Sequence, residues 1–291
     1  IALVGFGYAL IFHAAGGGGF YESLYYSASS ISTLGFAEPP PRDVMLTMLT
    51  VFEAMSSAVT ISLLIGYLPN VYSAYREREQ AVMRLDAEVG DAASGVNILE
   101  QLAAPAGLDH LDPIWGDWSG WFAGVAASHQ TISGALFLRS PGGRTSWLAT
   151  AGGVLDAAAI ALAALQPTPP QAAKIERCLS TGARALWLIA DALHLRVDPN
   201  PAWPATPITV TQAEFGAALD ALQQAGLPVA AERDAAWQAF ARRRVAYDAT
   251  LVALCRVKMV RPGCWSEAQG AARHWLPLPI RRHKTTPNGN A

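Results

Sequence analysis

Charge is scarce in this sequence. Asp, Glu, Lys and Arg make up 15% of its 291 residues, whereas soluble domains carry about 25%. The formal net charge is −2, so the chain lacks the basic surplus that is typical of nucleic-acid-binding domains, and we expect no nucleic-acid partner. The low charge instead favours a chain that lies partly within a lipid bilayer.

Cysteine is scarce too, and the motifs of common enzyme classes are missing. Cys178, Cys255 and Cys264 are widely spaced and odd in number, which indicates neither a disulfide framework nor a zinc site. No nucleophile elbow or His-Glu-x-x-His occurs, and the glycines at 142–143 and 152–153 do not form the Gly-x-Gly-x-x-Gly fingerprint of dinucleotide binding. We therefore expect reduced cytoplasmic thiols, no cofactor, no metal site and no enzyme activity.

Two apolar stretches lie in the first quarter of the chain. Residues 1–12 carry no charge, but as a helix they extend only about 18 Å, against a hydrocarbon core of about 30 Å. We interpret them as part of a first membrane helix that is truncated at its N-terminus. The alternative, a cleaved signal peptide, has a basic segment ahead of its apolar core, and none is seen here. Residues 44–68 extend about 37 Å, enough to span a bilayer with some tilt.

Between these stretches lies a sequence of a recognisable kind. Residues 24–38 read Leu-Tyr-Tyr-Ser-Ala-Ser-Ser-Ile-Ser-Thr-Leu-Gly-Phe-Ala-Glu. They resemble the pore helix and selectivity filter of the two-transmembrane-helix potassium channel family. In that family an aromatic pair followed by Ser opens the pore helix, and a run without gaps leads to the filter Thr-Val-Gly-Tyr-Gly-Asp. Here Tyr25, Tyr26 and Ser27 take the first positions, and residues 33–38 take the filter.

The resemblance covers residues 1–75 and implies a homotetramer in a cell membrane that conducts potassium ions. In that family backbone carbonyls from four chains replace the water around the ion, and the resemblance implies that Gly35 takes the positive φ angle that aligns them. The helix expected over 20–32 points its C-terminal carbonyls toward the cavity, where they favour a cation. The implied filter residues are Thr33, Leu34, Gly35, Phe36 and Ala37. The implied supporting residues are Tyr25, Tyr26, Ser29, Ser30, Glu38 and Glu53.

The filter departs from the family pattern at three positions. Ala37 replaces the second Gly, and an L-residue in a left-handed conformation costs roughly 1–2 kcal/mol. Phe36 lacks the hydroxyl of the family's Tyr, and Glu38 is longer than its Asp. A non-selective cation channel is therefore an alternative. A membrane-anchored helical enzyme or interaction protein with a degenerate pore loop is another.

Two residues of the second apolar stretch carry open alternatives. Glu53 is an acid at membrane depth, where ionisable groups are usually functional; it either faces the pore helix near Ser29 and Ser30 or lies hydrated near the outer interface. Ser57 stands where the resembled family has a hinge glycine. It is interpreted either as a gating hinge or as a small residue at a helix contact.

The rest of the chain predicts an all-α fold. We divide it into a pore domain (1–75), a linker helix and loop (76–105), an α-helical domain (106–260) and a disordered tail (261–291). Basic residues next to the second apolar stretch favour the cytoplasmic side for the helical domain: Arg76, Arg78 and Arg84. Two short Asp/His groups are weak metal candidates: Asp109, His110 and Asp112, and Asp191, His194 and Asp198.

Five helices are expected in the helical domain. Residues 111–128 carry a tryptophan stripe, and 145–165 form a core helix rather than a membrane span because of Asp156 and the many small residues. Residues 172–195 form the next helix. Thr211 and Glu214 form a capping box that begins another. The last spans 231–259 and carries the basic run 242–244, interpreted as a solvated or salt-bridged face, or a contact for lipid head groups.

Overall fold

A computed structural model of the chain describes residues 2–16, 18–32, 44–90, 94–131, 138, 140 and 146–260. These residues form ten α-helices and one short 3-10 helix, with no β-strand among them, which confirms the all-α class for this part of the chain. Two compact units are present, Ile1–Tyr72 and Ser73–Ala291. The predicted disordered tail, 261–291, lies outside the described residues.

The first unit contains α1 (Ala2–Ala14), α2 (Phe20–Ile31) and the first part of α3 (Val44–Val89). α1 packs against α2, and glycines make the turn between them, since Gly16 and Gly18 have φ angles of 86° and 97°. Glu22 accepts a 3.0 Å hydrogen bond from the Gly19 backbone N–H, which caps the start of α2. The helix expected over 20–32 is thus present over 20–31.

α3 is longer than the predicted apolar stretch. Its 46 residues extend about 69 Å, and the helix continues through Pro69 into the segment that we predicted as a linker helix. Only 11% of its most apolar 18-residue window is buried. α3 is therefore long and apolar enough to cross a membrane, with its apolar side chains left exposed in the single chain.

The second unit contains the end of α3 and seven further α-helices. They are α4 (Gly95–Ala106), α5 (Asp112–Thr131), α6 (Trp147–Ala164), α7 (Pro169–Ala192), α8 (Gln212–Gln224), α9 (Arg233–Arg244) and α10 (Asp248–Val257), and a 3-10 helix (Leu108–Leu111) precedes α5. α6 lies at the centre and packs against α4, α7, α9 and α10. The core also includes residues that we assigned to a linker: Val82, Leu85, Val89, Ile98, Leu99 and Leu102.

Several helix predictions for this unit are confirmed. α6 also has the length and composition of a membrane span, but 89% of its window is buried, so it is the core helix that the sequence predicted. Trp115 and Trp118 are buried in the core, as expected for the tryptophan stripe. Thr211 and Glu214 form the expected capping box, with the Thr211 backbone N–H donating to Glu214 Oε2 at 2.8 Å.

One helix prediction is wrong. The single helix expected over 231–259 is two helices, α9 and α10, separated by residues 245–247. The break lets Arg244, Tyr247 and Asp248 all turn into the core, where each is at most 4% exposed. Local helix propensity does not predict such a break, because tertiary contacts determine where the helix ends.

Gly95 marks the closest approach of α4 to α6. A Cβ atom at Gly95 would lie 2.6 Å from the backbone nitrogen of Ala157 and 2.7 Å from Asp156 Cβ. We expect Gly95→Ala to lower the free energy of unfolding by about 1–3 kcal/mol, the usual effect of overpacking. Denaturant unfolding of the full chain in detergent, followed by circular dichroism, measures it.

The matched control for this change is Gly120→Ala. Gly120 lies within α5, and a Cβ atom there would meet nothing within 4 Å. Alanine is a better helix former than glycine by up to about 1 kcal/mol, so this variant should be as stable as the unchanged protein or more so. Equal stability of the two alanine variants would contradict the close helix contact.

Candidate functional site

A set of polar side chains is buried where the helices of the first unit meet. Its members are Ser23, Ser27 and Ser29 on α2, and Glu53 and Ser57 on α3. On α3, Glu53 and Ser57 share a face with buried Leu46, because residues four and seven apart lie on the same side of a helix. This face of α3 meets α2. The opposite face carries Met48 and Met55, both 64% exposed.

Ser27 joins all three helices of the unit. Its hydroxyl oxygen lies 2.7 Å from the carbonyl oxygen of Gly5 on α1 and 2.5 Å from Glu53 Oε1 on α3. Glu53 is 1% exposed, and its second oxygen, Oε2, has no hydrogen-bond partner among the described residues. One serine of α2 therefore holds a buried acid of α3 and a backbone carbonyl of α1.

Ser57 holds the C-terminal end of α2. Its hydroxyl donates a 2.5 Å hydrogen bond to the carbonyl oxygen of Ile31, the last residue of that helix. The last four carbonyls of an α-helix have no partner within the helix and need one from elsewhere. Ser57 of α3 supplies that partner for Ile31, two residues before the predicted filter begins at residue 33.

The predicted filter residues lie outside the described residues; they are Thr33, Leu34, Gly35, Phe36 and Ala37. Glu38 lies outside them too. Of the other supporting residues, Tyr25 is exposed, Tyr26 and Ser30 are half-buried, and Ser29 is buried. Their support of a filter remains a prediction.

Glu53 takes the buried position of the two that we considered, and not the hydrated one. Its partner, however, is Ser27, two and three residues before the predicted Ser29 and Ser30. Sequence reasoning missed this pair and the contact with Gly5. Spacing carried a signal for it, since Ser23 and Ser27 lie four residues apart on one face of α2.

Ser57, the predicted hinge, and its neighbour Ser56 form different hydrogen bonds. Ser56 donates back to the carbonyl oxygen of Phe52 at 2.8 Å, a bond that often bends helices. Ser57 donates across to α2 instead. The α-helix runs unbroken through both positions, and the hinge remains a prediction.

In the second unit, a buried arginine lies on α3 soon after the boundary between the units. Arg78 is 3% exposed and donates from Nε and Nη2 to Glu79 Oε1, at 2.9 and 2.7 Å. Nη2 also donates to the carbonyl oxygen of Leu138 at 3.1 Å, and the guanidinium lies 5.1 Å from the ring centre of Trp147. Contacts with Tyr75 and Ser140 complete this cluster.

Two titratable groups near Arg78 have shifted pKa values. Burial, helped by the charges of Arg78 and Lys258, lowers the pKa of His129 to about 4, although a bond to the Val125 carbonyl opposes the shift. Burial and the charge of Arg78 lower the pKa of Lys258 to about 8. His129 also lies 5.4 Å from Trp147, ring centre to ring centre. His129 is therefore neutral at neutral pH, next to the buried ion pair of Arg78 and Glu79.

A second charged network lies deep in the core. Arg244 pairs with Asp156 on α6 and, through Nε at 2.8 Å, with Asp248. The Tyr247 hydroxyl donates to Asp156 at 2.6 Å, and Asp248 also accepts from Thr209. Arg244 thus forms salt bridges, one of the alternatives for the basic run, and belongs neither to a solvated face nor to a lipid contact. Sequence reasoning did not predict that this network lies in the core.

The weak metal candidates do not assemble into a site. Asp109 accepts a 2.6 Å bond from Gln171, and Asp112 pairs with Lys174 at 2.5 Å. In the part of the chain that the structure describes, no three His, Cys, Asp or Glu side chains are grouped to hold a metal ion. Cys178 and Cys255 are free and buried, and burial raises the pKa of each thiol to about 12.

Comparisons with known proteins identify no relative of this chain. The chain matches no protein-family model, no curated protein and no solved structure. Any function therefore has to be inferred from the sequence of this chain and from the contacts described above.

Proposed function

We propose that the chain is one subunit of a homotetrameric, potassium-conducting channel in a cell membrane. In this proposal α1 is the outer helix, α2 the pore helix, residues 33–37 the filter and the first part of α3 the inner helix. The observation that carries it is the bond from Ser57 to the carbonyl oxygen of Ile31. It ties the end of a short helix, just before a filter-like sequence, to a helix of membrane length.

The length and direction of α2 support this proposal. Its 12 residues extend about 18 Å, too short to cross a hydrocarbon core of about 30 Å. The helix follows the glycine turn after α1 and ends at Ile31, two residues before Thr33. Its C-terminal end carries about half a negative elementary charge, which favours a cation beside it.

The exposed surface of α3 supports a membrane and further subunits. Its large apolar side chains at residues 44–68 are mostly 46–73% exposed, among them Val44, Met48, Phe52, Leu63 and Leu68. Soluble monomers rarely expose a continuous apolar surface of this extent. Lipid and neighbouring copies of the chain are the partners that this surface fits.

We assign the helical unit to the cytoplasm, with a role in assembling or gating the pore. α3 contributes residues to both units, and Arg76, Arg78 and Arg84 follow its apolar part, as the positive-inside rule expects. Residues 72–84 of α3 are therefore the segment through which the helical unit acts. No ligand follows from the contacts seen in it.

Reversal potentials of the full chain in liposomes, measured in opposing potassium and sodium gradients, test the channel. A reversal potential near the potassium equilibrium value supports the proposal. Gly35→Ala should abolish selective current, whereas Gly7→Ala on α1, where a Cβ atom meets nothing within 4 Å, should preserve it. Absence of current from correctly assembled tetramers would refute conduction.

A non-selective cation channel is the second candidate, and Ala37 is the observation that favours it. If strain at this position loosens the filter, Ala37→Gly relieves roughly 1–2 kcal/mol per subunit. We then expect the potassium-to-sodium permeability ratio to rise on the order of tenfold, which corresponds to about 1.4 kcal/mol. Ala15→Gly in the outer turn is the control, and an unchanged ratio in Ala37→Gly would count against this candidate.

A further inference from the structure

The contacts of Ser27 raise a question of proton number. Its hydroxyl oxygen is 2.7 Å from the Gly5 carbonyl oxygen and 2.5 Å from Glu53 Oε1. Both distances are hydrogen-bond distances for two oxygens, so each contact requires a proton between them. A serine hydroxyl carries one proton and a backbone carbonyl carries none. The second proton therefore has to come from the carboxyl group.

We infer that Glu53 is a neutral carboxylic acid and acts as a hydrogen-bond donor. Its O–H donates to Ser27 Oγ, and the Ser27 O–H donates in turn to the Gly5 carbonyl oxygen. The two bonds form a directed chain from α3 through α2 to α1. In this role Glu53 positions α2 between the other two helices, next to the bond from Ser57 to Ile31.

The surroundings of Glu53 favour the neutral form. The side chain is 1% exposed, and its Oε2 has no hydrogen-bond partner among the described residues. A buried carboxylate needs a cation or several donors to replace its hydration. The described residues of the first unit include no lysine or arginine, and Ser27 offers at most one donor. A neutral acid leaves a far smaller unmet demand at Oε2.

The other titratable groups among the described residues of the first unit do not provide such a partner. His13 on α1 is exposed and bonds to the Gly18 carbonyl, and Glu22 on α2 bonds to the Gly19 backbone N–H. The remaining titratable residues are tyrosines, namely Tyr8 on α1, Tyr21, Tyr25 and Tyr26 on α2, and Tyr67 and Tyr72 on α3. The inference concerns a proton and a bond direction, so it stands independently of ion conduction.

Infrared difference spectroscopy of the full chain at neutral pH tests this inference. A protonated carboxylic acid has a C=O stretching band that is separate from carboxylate bands and shifts in heavy water. We expect that band in the unchanged protein and expect it to disappear in Glu53→Gln. Glu22→Gln is the matched control, because it removes an exposed acid of α2 and should leave the band in place.

A second variant keeps the test decisive if Glu53→Gln does not assemble. Ser27→Ala removes the acceptor of the Glu53 O–H, so the C=O band should persist but move to a frequency typical of a weaker hydrogen bond. Loss of carboxylate bands in Glu53→Gln, without loss of a C=O band, would overturn the inference. So would a C=O band that Ser27→Ala does not move.

Discussion

Replacing Arg244 by methionine should lower the free energy of unfolding of the helical unit by about 3–5 kcal/mol. The substitution removes the cation that two buried acids share, Asp156 on α6 and Asp248 on α10. All three side chains are at most 4% exposed. A buried charge that is left without its partner destabilises a protein by this amount, because neither water nor another cation can reach it.

The pKa values in this network agree with a strong interaction. Burial alone lowers the pKa of Arg244, but the charges of Asp156 and Asp248 outweigh it and hold the pKa above its ordinary value. Burial, together with the charge of Asp156, raises the pKa of Tyr247. Arg244 therefore stays charged and Tyr247 stays neutral, which keeps the tyrosine hydroxyl a donor to Asp156.

Denaturant unfolding of the full chain in detergent, followed by tryptophan fluorescence, measures the effect. Arg243→Met is the matched control, since Arg243 pairs with Glu176 at 3.4 Å on the surface, with the two side chains 30% and 55% exposed. Exposed ion pairs contribute about 0–1 kcal/mol. If the two methionine variants unfold at the same denaturant concentration, the buried network does not stabilise the unit as described.

Acid should destabilise the same unit through His129. Its pKa is about 4 in the folded chain and about 6.5 when unfolded. Below pH 6.5 the unfolded chain therefore binds a proton that the folded chain does not. The stability from neutral His129 is complete above pH 6.5 and is lost as the pH falls toward 4, by about 3 kcal/mol from this one group.

The position of His129 explains why its charged form is unfavourable. Its Nδ1 bonds to the Val125 carbonyl at 2.7 Å, and in the described part of the chain Nε2 has no hydrogen-bond partner. The side chain is 3% exposed, and the nearby charges of Arg78 and Lys258 are positive. Protonation would add a third positive charge in a site that water does not reach.

Thermal unfolding midpoints of the full chain between pH 7 and pH 4 measure this dependence. His129→Phe keeps a ring against Trp147 but cannot bind a proton, so its midpoint should change less over this range. His110→Phe, at an exposed position of the 3-10 helix, should retain the full dependence. If the unfolding midpoint of His129→Phe still falls steeply between pH 7 and pH 4, groups other than His129 cause the acid dependence.

The sequence by itself determined the features that depend on neighbouring residues. The turn of glycines after α1, the short α2, the apolar length of α3 and the capping box of Thr211 and Glu214 all follow from patterns within a few residues. The buried position of α6 also followed, because one acid among many small residues suits a packed core better than lipid. The filter-like residues 33–37 remain a prediction of the sequence alone.

Tertiary structure decided the contacts between residues that lie far apart in the chain. Ser27 and Glu53 are 26 positions apart, and Asp156 and Arg244 are 88 apart. No local pattern states that one serine contacts two other helices, or that one arginine of a basic run turns inward and splits a predicted helix. Burial makes these pairings stable, since a polar group that leaves water needs a partner. Only the packing of the helices fixes which partner it finds.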